Sequence, residues 1–274
     1  MGELVDMLVH ASNSAYGALN ALSGQSWTFD TLVALPIDNP LVKAGPLGAL
    51  FAYAWYAVTG ADEKLRRRRV LLGTLLSLCV VLGITKGLGA EVFLPRPFVL
   101  SQNVYVVEDG ALAPAERLDY SVPLAGGSRD RFESLQRGEA VENDLVSFPS
   151  DHAGFYTAFA LGILLACRMA GLLALAWTFG VILLSRIITG MHSPLDIVAG
   201  ASIGAAALLA VQWAWARLPK RLGNAAGNLT ISYEGLSSAL LFLALFEVVS
   251  TLVNARALAE SARDVAGGVL GQVS

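Results

Sequence analysis

Three histidines occur in the chain, and two of them, His152 and His192, stand at the ends of apolar runs beside other polar side chains. The second lies in SRIITGMHSPLD, Ser185 to Asp196, where an apolar run delivers an arginine, a histidine and an aspartate at fixed spacing. Ser193-Pro194-Leu195-Asp196 reads as a helix start, with Ser193 as N-cap, Pro194 at the position where its missing N–H costs nothing, and Asp196 at the third. Two roles are open to Asp196. It can accept the Nδ1–H of His192 and leave Nε2 unprotonated as a nucleophile or base. It can also close a capping box on the backbone N–H of Ser193. Arg186 favours chemistry, because an arginine at the end of an apolar run is costly unless it holds an anion.

Two further clusters complete the set. TKGLGAEVFLPRPF supplies Lys86 and Arg96, and SFPSDHAGF supplies Ser150, Asp151 and His152. Lys86, Arg96 and Arg186 suit an anion with several oxygens, a phosphate better than a lone carboxylate. Pro149 to His152 open a helix whose first N–H groups add the dipole's positive end, and Ser150 can donate its hydroxyl. With a phosphoryl group held there, one histidine attacks phosphorus while the other protonates the departing oxygen. No Cys, His or carboxylate cluster has metal-ligand spacing, so neither a metal nor another cofactor is expected.

The elements that must carry these residues follow from composition. At 274 residues, 55% hydrophobic and 15% charged, the chain is too apolar for a soluble globule and reads as a polytopic membrane protein. A net charge of −3 argues against a nucleic-acid partner. Cys79 and Cys167 fall in apolar runs as packing residues. No basic n-region with an apolar core marks a cleaved signal at the N-terminus.

The fold class expected is all-α, a bundle of about six transmembrane helices near 44–60, 69–89, 153–168, 170–189, 195–216 and 233–253. An amphipathic helix within 3–23, carrying His10 without catalytic duty, lies in the interface. LPIDNPLVKAGP is read as a turn that breaks any helix. ADEKLRRRR, Arg168, and Arg217 with Lys220 and Arg221 fall on one side if six spans alternate, which makes that side cytoplasmic. Trp213 and Trp215 beside Arg217 look like an interfacial anchor.

The chain forms one membrane domain over 1–274: an interfacial segment 1–43, two spans in 44–98, an extracytoplasmic loop 99–147, catalytic spans in 148–216, and a last span with its tail in 217–274. The loop is more acidic than basic and is either a mobile solvated segment or a folded lid. Glu247 is an ionisable group at membrane depth, open to a functional role or to a helix–helix hydrogen bond. Asn228-Leu229-Thr230 matches a glycosylation acceptor but falls on the cytoplasmic side. All three polar clusters then share one depth at the outward end of the spans, as a single site requires.

The set "K…RP", "PSDH" and "SR, five residues, H, three residues, D" resembles the three-part signature of the type 2 phosphatidic acid phosphatase superfamily, integral-membrane lipid phosphatases. The resemblance covers roughly residues 40 to 216. It implies His192 as the nucleophile that forms a phosphohistidine, Asp196 as its orienting acid and His152 as the acid for the leaving group. It implies Arg96, Arg186, Ser150 and the Asp151 backbone as the phosphate cradle. One position departs: the family's lysine stands seven residues before the RP arginine, where this chain has Gly89, and Lys86 lies about one helical turn away. Lys86 either reaches the site or snorkels to the interface, and Glu91 is a possible partner for it.

PRPFV, the short amphipathic N-terminus and PSDHA are similar to the bacterial undecaprenyl-diphosphatase branch. The implied function is removal of the terminal phosphoryl group from a membrane lipid phosphate or diphosphate, with undecaprenyl or another polyprenyl diphosphate first. Phosphatidic acid or phosphatidylglycerophosphate is the alternative substrate. The cytoplasmic membrane, with the site facing outward, is the expected location. A non-enzymatic anion or lipid transporter is the rival class, but it would spread polar groups along several spans.

Overall fold

The computed structural model describes residues 2–58, 60–92, 94–108, 111–139, 145–218 and 220–249, and these form an almost wholly helical bundle. Helix α1 is Gly2–Asn20, α2 Trp27–Asp38, α3 Pro40–Tyr56 and α4 Ala61–Glu91. A short α5, Pro97–Leu100, leads to a two-stranded antiparallel hairpin, β1 Tyr105–Glu108 and β2 Ala111–Pro114, and to α6, Gly127–Gln136. Then come α7 Asp151–Ala166, α8 Arg168–Ile188 with a π-helical stretch at Thr178–Leu183, and α9 Pro194–Arg217. Helices α10, Lys220–Ser232, and α11, Glu234–Val249, follow.

Three of these, α4, α8 and α9, are long and apolar enough to cross a membrane, and a fourth span arises if part of α10 and α11, bent by 108°, count as one. The all-helical membrane class therefore stands, but the expected count of six spans is not reached among the described residues. Helix α7 is apolar yet has 16 residues, and α3 has 17. Residues 250–253 of the expected last span lie outside the described residues.

Two local expectations are corrected. The proline-rich stretch 35–46 is not a turn: α2 runs through Pro36 and α3 through Pro46, and the break is confined to Asn39. Asn39 caps α3 by accepting from the N–H groups of Leu41 and Val42 at 2.9 and 3.2 Å, while Pro40 takes the first helical position, where no donor is lost.

The charged run before residue 69 is likewise helical, forming the first turns of α4. Glu63 neutralises part of it through Arg66 and Arg67 at three and four residues' spacing, each 2.7 Å away. The remaining cations are tied inward. Arg66 donates to the last carbonyls of α7 at Leu165 and Ala166. Arg68 is fully buried, 4.9 Å over the Trp55 ring, and pairs with Glu234 at 2.7 Å. These contacts clip α7 and the α10–α11 elbow to α4.

The core lies among α3, α4, α7, α8 and α9, with Phe51 stacked on Phe159 at 5.1 Å. Small residues set how closely α7 and α9 approach. A Cβ on Gly200 would overlap the Ser150 carbonyl, and one on Gly204 would overlap the Gly154 backbone. That approach brings the N-terminal ends of α7 and α9 together, joined by a hydrogen bond from Ser150 N to Asp196 O at 3.2 Å.

Helix α1 grips the turn between α8 and α9. Asn20 and Ser23 both donate to the Ile188 carbonyl, and Ser12 accepts from Leu195 N–H. His10 is exposed on α1. The long loop also packs inward. Tyr120 donates to the Thr189 carbonyl, Ser121 N–H to Asn20, and Leu124 N–H to Asp30. Phe132 of α6 is buried with Phe98 and Met191. The acidic Asp109, Glu142 and Asp144 of that loop lie outside the described residues.

Candidate active site

A short backbone pairing brings two of the three clusters together. Pro95 bridges Val146, Arg96 N–H donates to Leu145 O at 3.0 Å, and Ser147 N–H donates to Leu94 O at 2.8 Å. Arg96 is thereby fixed beside Ser147, with its Nε on the Val146 carbonyl at 3.2 Å and its Nη1 reaching Met191. The third cluster folds back on itself. Gly190 takes a positive φ of 72°, and the N–H groups of Met191 and His192 both donate to the Arg186 carbonyl. His192 is thus turned from the end of α8 toward Ser147.

The result is a cavity of about 440 Å³ lined by both catalytic-type histidines, His152 and His192, together with Lys86, Arg96, Asp151 and Ser147. The remaining expected residues, Arg186, Ser150 and Asp196, are buried and do not form its wall. Ser150 caps α7, its hydroxyl oxygen accepting from Ala153 N–H at 3.3 Å. Gly89 lines the cavity without contributing a charge.

Each imidazole has its Nδ1 occupied. Asp151 Oδ1 lies 2.7 Å from His152 Nδ1 and also accepts the His152 backbone N–H. His192 Nδ1 lies 3.1 Å from the Ser147 carbonyl oxygen and 3.2 Å from its hydroxyl. With Nδ1–H donating to those oxygens, Nε2 of each ring is the acceptor, a tautomer set by the network.

The direct bond expected between His192 and Asp196 is not made, since their nearest atoms are 3.9 Å apart. Ser147 stands between them, its hydroxyl 2.5 Å from Asp196 Oδ2. The same Asp196 oxygen accepts Ser193 N–H at 2.6 Å, completing the capping box. The carboxylate is drawn to the donors of its own helix start and reaches the imidazole through a hydroxyl.

Burial first, and then the guanidinium groups of Arg96 and Arg186, hold the His192 imidazole well below its ordinary value, so the ring is neutral at pH 7. Lys86 has a half-exposed side chain and lies 3.4 Å from Asp151 Oδ2, so its partner is Asp151 rather than Glu91. Arg186 is 4% exposed and its Nε is buried without a hydrogen-bond acceptor. Such a donor calls for an anion.

Ser147, the Asp151 side chain and Arg131, whose Nη1 lies 3.6 Å from the Met191 sulfur, were not singled out by spacing. Only Ser147 carried a signal, as a hydroxyl three residues before the N-cap Ser150. Among the described residues no three His, Cys, Asp or Glu side chains gather so as to hold a metal ion.

The chain is 42% identical over 67 residues to the bacitracin transport permease protein BcrC of Bacillus licheniformis, a match covering 24% of this chain and 32% of that protein. The chain thus spans about a third of that relative's length. No solved structure matches. The model of the PAP2 superfamily matches residues 69–219, which include Arg96, Ser150, His152, Arg186, His192 and Asp196, and the chain belongs to this superfamily of membrane phosphatases.

Proposed function

We propose that the protein removes the terminal phosphoryl group of a membrane lipid phosphate or diphosphate, with a polyprenyl diphosphate such as undecaprenyl diphosphate as the favoured substrate. The observation that carries this reading is the single cavity lined by His152, His192 and Arg96. His192 Nε2 attacks phosphorus in line and forms a phosphohistidine. Asp196 acts on the resulting imidazolium through Ser147. Arg96 and Arg186 stabilise charge as it shifts among the phosphoryl oxygens. His152, held by Asp151, takes a second proton at Nε2 when the anionic headgroup binds beside it and gives that proton to the departing oxygen, a task worth about 10²- to 10⁴-fold in rate. The same imidazole then activates the water that releases phosphate.

The lipid tail remains in the bilayer while the headgroup enters from the outer face of the cytoplasmic membrane. That orientation is supported by the basic residues at the other end of the bundle. Among the described residues no donor set suits a metal ion, and a chelator should leave turnover intact.

The test is phosphate release by purified protein from polyprenyl diphosphate and, side by side, from phosphatidic acid and phosphatidylglycerophosphate. Release from the first, lost in His192→Ala, supports the reading. Faster release from the glycerolipids would reassign the substrate, and no release from any would remove the proposal. The word transport in the relative's name offers a second reading, an anion or lipid transporter. Uptake of labelled lipid phosphate into proteoliposomes without hydrolysis would favour it.

A further inference from the structure

Ser12, Tyr16 and Asn20 stand four residues apart on α1, form one stripe about 12 Å long and are all buried. The buried stripe of a surface helix is ordinarily apolar. This one carries three polar groups, and each meets the connection 189–193 or the helix ends beside it. Ser12 Oγ accepts the N–H of Leu195 at 3.1 Å, a donor in the first turn of α9 that its own helix leaves unsatisfied. Eight residues on, Asn20 Nδ2 donates at 2.8 Å to the carbonyl of Ile188, the last residue of α8, where Ser23 Oγ joins it at 3.0 Å. Between them Tyr16 lies against Gly190, where a Cβ would stand 3.2 Å from the phenolic oxygen. One face of α1 therefore spans both anchor points of the connection that carries His192.

Other segments hold what α1 leaves. Tyr120 donates to the Thr189 carbonyl and Phe98 N–H to the Gly190 carbonyl, each at 3.2 Å. Three consecutive carbonyls are thus gripped by α1, the long loop and α5. Asn20 ties two of these grips together, because its Oδ1 accepts Ser121 N–H at 2.7 Å and its Nδ2 also reaches the Ser121 carbonyl at 3.3 Å. Without α1, the connection keeps its own bonds from Met191 and His192 N–H to the Arg186 carbonyl, and these leave its tilt against α9 open. In-line attack is sensitive to displacements of about 1 Å. Helix α1 lies wholly outside residues 69–219, so this hold on the histidine is made by a part of the chain that the superfamily match does not cover.

We propose that α1 is a clamp on the connection 189–193 and that Asn20 is a positioning residue for His192, holding the imidazole on the line of attack without touching substrate. The assignment rests on the phosphatase reading above.

The experiment measures kcat, KM and melting temperature in detergent, on a prenyl diphosphate, for wild type, Asn20→Ala, Ser12→Ala, Ser12→Thr and Asp30→Ala. Asp30 is the control: its Oδ2 accepts the N–H groups of Gly24 and Leu124, tying the same loop to the end of α1 without a hydrogen bond to the connection. Asn20→Ala should lower kcat about 10- to 100-fold with KM nearly unchanged. Ser12→Ala should lower kcat in the same way, and Ser12→Thr, which keeps the hydroxyl, should recover it. Asp30→Ala should keep the wild-type kcat even where its melting temperature falls. An unchanged kcat in both alanine variants of the stripe, a raised KM at constant kcat, or an equal loss of kcat in Asp30→Ala would overturn the assignment.

A wild type silent on lipid phosphates would remove the phosphatase reading but not the clamp, which hydrogen exchange reads separately. The amides of Met191 and His192 should exchange about tenfold faster in Asn20→Ala than in wild type, and at the wild-type rate in Asp30→Ala. Equal rates in wild type and Asn20→Ala would overturn the clamp.

Discussion

His192 and Ser147 meet at two atoms: the imidazole Nδ1 lies 3.2 Å from the serine hydroxyl and 3.1 Å from its carbonyl oxygen. The carboxylate of Asp196 acts on the ring only through that hydroxyl. Ser147→Ala keeps the carbonyl acceptor and removes the bridge. A buried hydrogen bond to a charged group contributes about 1.5–3 kcal/mol, so kcat should fall about 10- to 100-fold with KM nearly unchanged. Steady-state kinetics checks this, and a raised KM at constant kcat would assign Ser147 to substrate binding instead.

Asp151 gives His152 the same kind of support, directly rather than through a relay. Asp151→Asn keeps the size and loses the charge that fixes the donor at Nδ1. The variant should lose about 10- to 100-fold in kcat, at the low end of what general acid catalysis contributes. A substrate with a better leaving group should restore most of the loss, because it needs less protonation. Equal losses on good and poor leaving groups would show that Asp151 serves something other than the acid.

The neutral state of buried His192 links stability to pH. In the unfolded chain the ring takes a proton near pH 6.5, while in the folded protein burial, Arg96 and Arg186 oppose that proton to a much lower pH. The stabilisation is therefore full above about pH 6.5 and is lost as pH falls below it, by at most about 1.4 kcal/mol per unit. Thermal melts from pH 8 to 5 should show this fall in wild type and a flatter profile in His192→Asn. Bound vanadate, an anion beside the ring, should shift the wild-type profile by easing protonation.

Close helix approach positions the site, which makes Gly200 a sensitive position far from any charge. A Cβ there meets the Ser150 carbonyl, so Gly200→Ala must push the start of α7 away from α9. Turnover should fall more than tenfold, with a melting temperature lower by several degrees, in line with about 1–3 kcal/mol for overpacking. Gly235→Ala, where nothing lies within 4 Å, is the control and should change neither. Activity assays with melting curves on the two variants decide it.

Apolar run lengths and the position of charged residues made the membrane-helical class legible, and residue spacing alone brought His152, His192 and Arg96 to one end of the bundle. Spacing could not reveal the bridging role of Ser147, because the pairing of 94–96 with 145–147 joins segments about fifty residues apart. The run at 61–69 was legible as charge but not as helix. Its helicity draws on the local pairs of Glu63 and also on Glu234 and the carbonyls at the end of α7, two partners that only the folded chain assembles.

The central claim is that the two imidazoles serve one phosphorus, with His192 as the attacking group. Rapid quench of wild type mixed with lipid diphosphate labelled at the terminal phosphorus tests it most directly. An acid-labile, base-stable phosphoenzyme should form within one turnover, map to the peptide containing His192 and be absent in His192→Asn. Turnover without such an adduct, or label carried by any other residue, would contradict it.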